Sequence, residues 1–166
     1  HTGSFALHAA HYGAASVTGV DISDHAVASA NRNAALNGYQ DRVDFVEANA
    51  FDYLRAASDR KDMFDVVVLD PPAFTKTRQA IEGAVRGYKE INLRALKIVK
   101  PGGFLVSCSC SHHVSQDLFL KTIHEAATDA HRQVRLVEYR SQAKDHPILL
   151  ASAETQYIKC AILQVY

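Results

Sequence analysis

The sequence is short of several things, and each shortage narrows what it can be. It has no excess of either charge: Lys plus Arg and Asp plus Glu stand at 18 each in 166 residues. Binding that rests on neutralising phosphates needs clustered surplus cations, so a strongly electrostatic nucleic-acid binder is disfavoured, although a local basic patch is not. Only three cysteines are present, two of them close together at Cys108 and Cys110. An odd, unevenly spaced set does not read as a disulfide framework, and a reducing, cytoplasmic setting is the expectation. No apolar run approaches the roughly 18 residues of a membrane span. The opening HTGSFALHAA lacks the charged start, apolar middle and small-residue cleavage site of a signal peptide. Proline and glycine are few, and 22% of residues are charged against 48% hydrophobic, so disorder is disfavoured and one domain over residues 1–166 is expected.

What is present is regular alternation. Strand-like SVTGVDIS (16–23) precedes the alanine-rich helical segment 24–38, with Ser23 or Asp24 as its N-cap and Asn37-Gly38 as its stop. A strand at 43–49 and a helix at 50–60 follow. FDVVVLD (64–70) is a continuous apolar run, as in a strand buried on both faces. Helical spacing runs over 78–100 and stops at Pro101-Gly102-Gly103. A second buried-looking strand covers 103–111 and a helix 116–131. Two last strands at 134–140 and 157–166 lack a convincing helix between them, which favours antiparallel pairing. The pattern predicts an α/β fold with an open, doubly wound, mostly parallel sheet. Such a fold normally begins with a strand, whereas this sequence begins at a loop; the expectation is a fragment of a longer protein with its first strand missing.

In doubly wound sheets, ligands lie beyond the carboxyl ends of the strands. Gly3 stands where backbone can approach a ligand and a helix start offers free N–H groups. Asp21 ends the next strand, where a carboxylate can accept both ribose hydroxyls. Asn49, at the third strand end, is suited to an adenine edge. The alternatives are an acidic helix N-terminus for Asp21 and a helix cap for Asn49. With a single glycine, the loop is not a dinucleotide fingerprint, which weighs against a nicotinamide dehydrogenase.

The fourth strand runs into Asp70-Pro71-Pro72-Ala73-Phe74. Prolines end the ladder and stiffen the loop, fixing Asp70 and its neighbouring carbonyls at the ligand edge. Such a rim suits a planar base, with Phe74 to stack and Lys76 and Arg78 to reach phosphates; the alternative is a plain proline turn. The following strand ends in Ser107-Cys108-Ser109-Cys110-Ser111-His112-His113. Period-two geometry puts the two cysteines on one side. Core packing, a zinc site with the histidines and a nucleophile all compete here. The zinc spacing is poor; Cys110 is favoured as nucleophile and Cys108 as a core residue.

The motifs HTGSFALHAA, VDIS, DPPAFTKTR, RGYKEIN, SCSCS and DHP occur in an order that resembles RlmI-type S-adenosylmethionine-dependent ribosomal RNA methyltransferases, which act on cytosine C5 of large-subunit rRNA. The resemblance covers essentially the whole chain. It implies a class I, Rossmann-like methyltransferase sheet with an antiparallel last strand, and an N-terminal RNA-binding PUA domain that this sequence does not contain. Carried over by position, Thr2, Gly3 and Ser4 would line the methionine part of S-adenosylmethionine, with Asp21 and Ser23 at the ribose. Asn49, where relatives often have Asp, would stand near the adenine. Asp70 would border the cofactor and hold the target base beside Pro71, Pro72, Phe74, Lys76 and Arg78, while Cys110 would be the nucleophile. No metal is implied, the partner would be large-subunit rRNA, and a homodimer is left open. Asp145-His146-Pro147 matches a family turn, with a substrate-facing or a purely structural role. Two other readings remain: transfer to a guanine or adenine nitrogen, which needs no cysteine, and a non-catalytic cofactor-binding scaffold on RNA.

Overall fold

The computed structural model describes residues 1–75 and 77–166, with the side chains of Arg78 and Ala153 outside the description. The chain forms two compact units, His1–Ala56 and Ala57–Tyr166.

In the first unit, α1 (Ser4–His11) leads to β1 (Val17–Asp21), α2 (Asp24–Leu36) and β2 (Val43–Glu47), with α3 (Ala50–Asp59) following. β1 and β2 pair in parallel, Gly19 opposite Phe45. The Phe45 ring lies so close that a Cβ on Gly19 would meet it at 2.5 Å, which is why this strand carries a glycine. Ala6, Ala10 and Val43 make a small core with Val17, Tyr39 and Phe45 against it. The short alanines let α1 lie close to the strands. Ser23 caps α2, its hydroxyl accepting from the Ala26 N–H at 3.3 Å, which resolves the choice between Ser23 and Asp24.

The second unit holds β3 (Phe64–Leu69), α4 (Ile81–Ile98), β4 (Val99–Ser109), α5 (Gln116–Asp129), β5 (Val134–Arg140) and β6 (Lys159–Val165). Its four strands run in the order β3-β4-β6-β5. β3 and β4 are parallel, whereas β6 is antiparallel to both β4 and β5. The expected antiparallel pairing of the last two strands is thus present. α4 buries Ala84, Tyr88, Ile91, Ala95 and Leu96, and α5 buries Phe119, Ile123, Ala126 and Ala127. The Tyr88 and Phe119 rings meet edge to face at 5.5 Å, and Lys89 bonds Asp129 at 2.9 Å, so an apolar seam and a polar clasp join the helices. Among the described residues no helix is long and apolar enough to cross a membrane.

Two expectations need correction. β3 is the edge strand of its sheet rather than a strand buried on both faces: Val66 and Val68 are 53% and 39% exposed. A run of valines reports buried strand, but neighbours decide how much of it is covered. The strand placed at 103–111 begins earlier, at Val99, so helix and strand abut with no connecting loop. Val99 pairs with Phe64, and the register then slips before Val66 meets Phe104. The Pro101-Gly102-Gly103 turn signal marks that irregularity inside the strand, with Gly102 at φ 83°.

Candidate active site

Each expected ligand residue of the first unit sits at a helix start or a strand end. Gly3 caps α1 in the left-handed region at φ 88°, and a Cβ there would meet the Phe45 ring at 2.7 Å. Conformation and space both require glycine. Thr2 is held by its carbonyl, which accepts from Asn33 Nδ2 at 3.0 Å, so the loop is tied to α2. Ser4 opens α1 with no side chain capping the helix, which leaves the first N–H groups directed at whatever lies before them. Asp21, the last residue of β1, accepts from the Ser23 N–H at 2.9 Å. Asn49 follows β2 and accepts from the Phe51 N–H at 2.9 Å through Oδ1. Its capping role is therefore occupied by oxygen, and among the described residues its Nδ2 has no partner, which makes it a donor suited to a ring nitrogen.

The second unit carries the thiol and the proline loop. β4 alternates strictly at its end: Ser107, Ser109 and Ser111 are buried, while Cys108 and Cys110 are half-buried on the other face. The serines are held from α4. Ser109 Oγ donates to Tyr88 Oη at 2.9 Å, and Tyr88 Oη lies 2.9 Å from Ser111 Oγ. That anchorage fixes Cys110 between two tethered residues. Its Sγ approaches the Pro71 carbonyl at 3.9 Å, so the thiol abuts the Asp70-Pro71-Pro72 loop. Asp70 lies immediately before, and desolvation raises its carboxyl above the ordinary value.

An open pocket of about 420 Å³ lies beside this thiol, lined by Cys110, Ala73, Thr75, His112, His113, Glu154 and Tyr157. That volume lies in the range of small-molecule sites. The His112 and His113 rings meet at 5.0 Å, and His112 Nδ1 is buried with no partner among the described residues. Asp145-His146-Pro147 lies in a turn closed by the His146 N–H to the Ala143 carbonyl at 3.0 Å. The His146 ring reaches the Tyr157 hydroxyl at 3.5 Å, which links the turn to the cavity wall.

The remaining expected residues have other surroundings or lie outside the description. The Phe74 ring packs on Tyr88, centroids 4.6 Å apart, and over Gly87, so its visible work is to anchor the proline loop to α4. Cys108 is not a core residue; it faces Cys160 across the β4–β6 pairing. Lys76 lies outside the described residues, as does the side chain of Arg78. One residue was not read from the sequence at all. Lys159, 5% exposed at the start of β6, donates from Nζ to the Ser111 carbonyl at 3.0 Å and the Tyr157 carbonyl at 2.9 Å. Burial lowers its pKa and the Cys110 sulfur opposes that shift, so a buried cation stands within electrostatic reach of the thiol. The only sequence signal was a lysine opening a largely apolar strand.

Comparison with known proteins bears on the family and the fold. A family model described as a methyltransferase domain matches residues 2–154. The chain is 45% identical, over its full length, to ribosomal RNA large subunit methyltransferase I of Shewanella denitrificans and to that of Shewanella amazonensis. It spans 42% of the length of each, so it corresponds to about two fifths of the curated relatives it matches. In fold it is similar to a Streptococcus mutans protein assigned to the SAM-dependent methyltransferases, at TM-score 0.85 and 19% identity over 98% of this chain and 42% of that one. It is also similar to Pyrococcus horikoshii NSun6 with SFG, at TM-score 0.66 and 18% identity over 90% of this chain and 41% of that one.

Proposed function

Since the chain belongs to the methyltransferase-domain family and has the class I, Rossmann-like fold, we propose that it is the catalytic part of an enzyme that methylates C5 of a cytosine in large-subunit ribosomal RNA, using S-adenosylmethionine and a transient bond to Cys110. The observation that carries this reading is the Cys110 thiol against the Pro71 carbonyl, where it lines an open pocket of about 420 Å³. The curated relatives bear rRNA methyltransferase names, which supports the substrate class.

S-adenosylmethionine supplies an electrophilic methyl group when bound. The donor set of the first unit fits it: the α1 N–H groups behind Gly3, with Thr2 and Ser4, suit its carboxylate, Asp21 with Ser23 suits ribose hydroxyls, and Asn49 Nδ2 suits an adenine nitrogen.

The chain's own chemistry then follows from the target. Cytosine C5 is a poor nucleophile. Addition of the Cys110 thiolate at C6 makes C5 enamine-like, able to take a methyl group. A base then removes the C5 proton and the sulfur is expelled, restoring the ring and the thiol. Asp70, with its carboxyl raised by desolvation, shares a proton readily and is suited to N3 as charge develops on the ring. Thr75, Tyr157 and the two histidines enclose the base once it has left its stack.

The test is made on the full-length protein with rRNA as substrate and nucleoside mass spectrometry as readout. Cys110→Ala is expected to lose turnover by about 10³-fold or more while S-adenosylmethionine binding by calorimetry is retained. Unchanged turnover would transfer the assignment to an exocyclic amino group gripped by Asp70-Pro71-Pro72.

A further inference from the structure

Cys160 plays no part in the chemistry above, and neither does Cys108. They are directly opposite each other in the antiparallel pairing of β4 with β6. Residues so placed have Cα atoms about 4.5 or 5.5 Å apart, according to whether the pair is hydrogen-bonded, and both distances fall within the roughly 4.4–6.8 Å that a disulfide spans. Both side chains lie on the same, half-buried face of the sheet, so neither is sealed in the core. Each thiol bears on the other's protonation, Cys160 pushing the pKa of Cys108 up and Cys108 pushing that of Cys160 down.

We propose that Cys108 and Cys160 are a redox dithiol that hydroperoxides close into a cross-strand disulfide. The division of labour follows from the surroundings. The bond from Cys108 lowers the pKa of Cys160 to about 7, and Arg140, opposite Cys160 on β5, adds to that shift, while burial, Asp70 and Glu138 oppose it. Cys108 moves the other way, its pKa raised by the same bond and by burial. Cys160 is therefore the attacking sulfur and Cys108 the resolving one.

The Cys160 thiolate attacks one peroxide oxygen. The O–O bond breaks, an S–O bond forms, and the departing alkoxide or hydroxide takes a proton to leave as alcohol or water. Cys108 sulfur then attacks the sulfenic sulfur, forming the S–S bond and breaking S–O; the Cys108 proton departs with the hydroxyl as water. Two thiols lose one electron each, and the peroxide gains two. Cys110 is a poorer partner for Cys108. Two residues along one strand lie about 6.6 Å apart, at the edge of the permitted span, and its sulfur is directed to the Pro71 carbonyl.

The experiment exposes the full-length protein to hydrogen peroxide, blocks remaining thiols with an alkylating reagent, and maps peptides by mass spectrometry without reduction. The expected product is a pair of peptides joined through Cys108 and Cys160, two hydrogens lighter than their sum and separated by dithiothreitol. Cys160→Ser abolishes it, and Cys108→Ser leaves Cys160 as a sulfenic acid that dimedone captures. A linkage through Cys110, or full alkylation of both Cys108 and Cys160 after peroxide that oxidises a free cysteine standard, overturns the proposal. Mapping the unsubstituted protein decides the matter even where a variant folds poorly.

Discussion

Asp70 shows how one carboxyl can be set against stability for the sake of a site. Desolvation raises its folded-state pKa above 3.8, so the native protein holds the proton more tightly than the unfolded chain does. Below the unfolded value both states are protonated and nothing is lost. As pH rises through the raised value the native state must bear a partly desolvated charge, and stability falls. Asp70→Asn removes that charge. Its melting temperature is expected to exceed that of the unsubstituted protein at about pH 7, with the gain shrinking as the pH is taken down to about 4. Thermal melts at a series of pH values check this, and methyl transfer falls in the same variant if Asp70 serves the base. Asp70 was legible in the sequence because two prolines after an apolar run mark a strand end, where side chains of doubly wound sheets meet ligands. Lys159 and Cys160 were not. They come to β4 through antiparallel pairing with a strand far along the chain, and no local pattern encodes which distant residue will stand opposite.

The last turns of β4 show the same limit for whole elements. Most helices and strands were legible from periodicity, since 116–129 and 134–140 need only one apolar face each. The exposed edge of β3 and the early start of β4 were not, because both depend on what pairs with what. The alternation in Ser107–Ser111 was legible as period two; which face turns inward depends on Tyr88, a residue of α4. Its hydroxyl bonds both Ser109 and Ser111, all three groups being buried. Tyr88→Phe keeps the ring against Phe119 and removes only those bonds. Ser109 Oγ still accepts from the Ser111 N–H at 3.3 Å, so the cost is about 1–3 kcal/mol, that of one hydroxyl left unpaired. Chemical denaturation is expected to show an earlier midpoint with an unchanged slope. Turnover is expected to fall too, since Cys110 lies between the two serines that lose their tether. A variant as stable as the parent would mean the Tyr88 hydroxyl does not organise this strand end.

At the scale of the whole chain, charge decides how RNA can be held. Cations and anions are equal in number, yet the proposed substrate is a polyanion. The 420 Å³ pocket has room for a base, and affinity for RNA comes largely from phosphate contacts. In single-stranded RNA each neutralised phosphate adds about 0.7 to the slope of log affinity against log salt. A chain with no net charge is expected to make few such contacts. Titration of the 166-residue chain with an rRNA fragment, between about 50 and 200 mM salt, should give weak binding with a slope no steeper than about −2. The chain spans 42% of its curated relatives, and the full-length protein is expected to bind more tightly with a steeper slope. Turnover should follow the same order, because a base cannot be turned into the cavity unless its flanking phosphates are held. A slope as steep for the 166-residue chain as for the full-length protein would place the phosphate contacts within residues 1–166, on a patch hidden by the overall balance of charge.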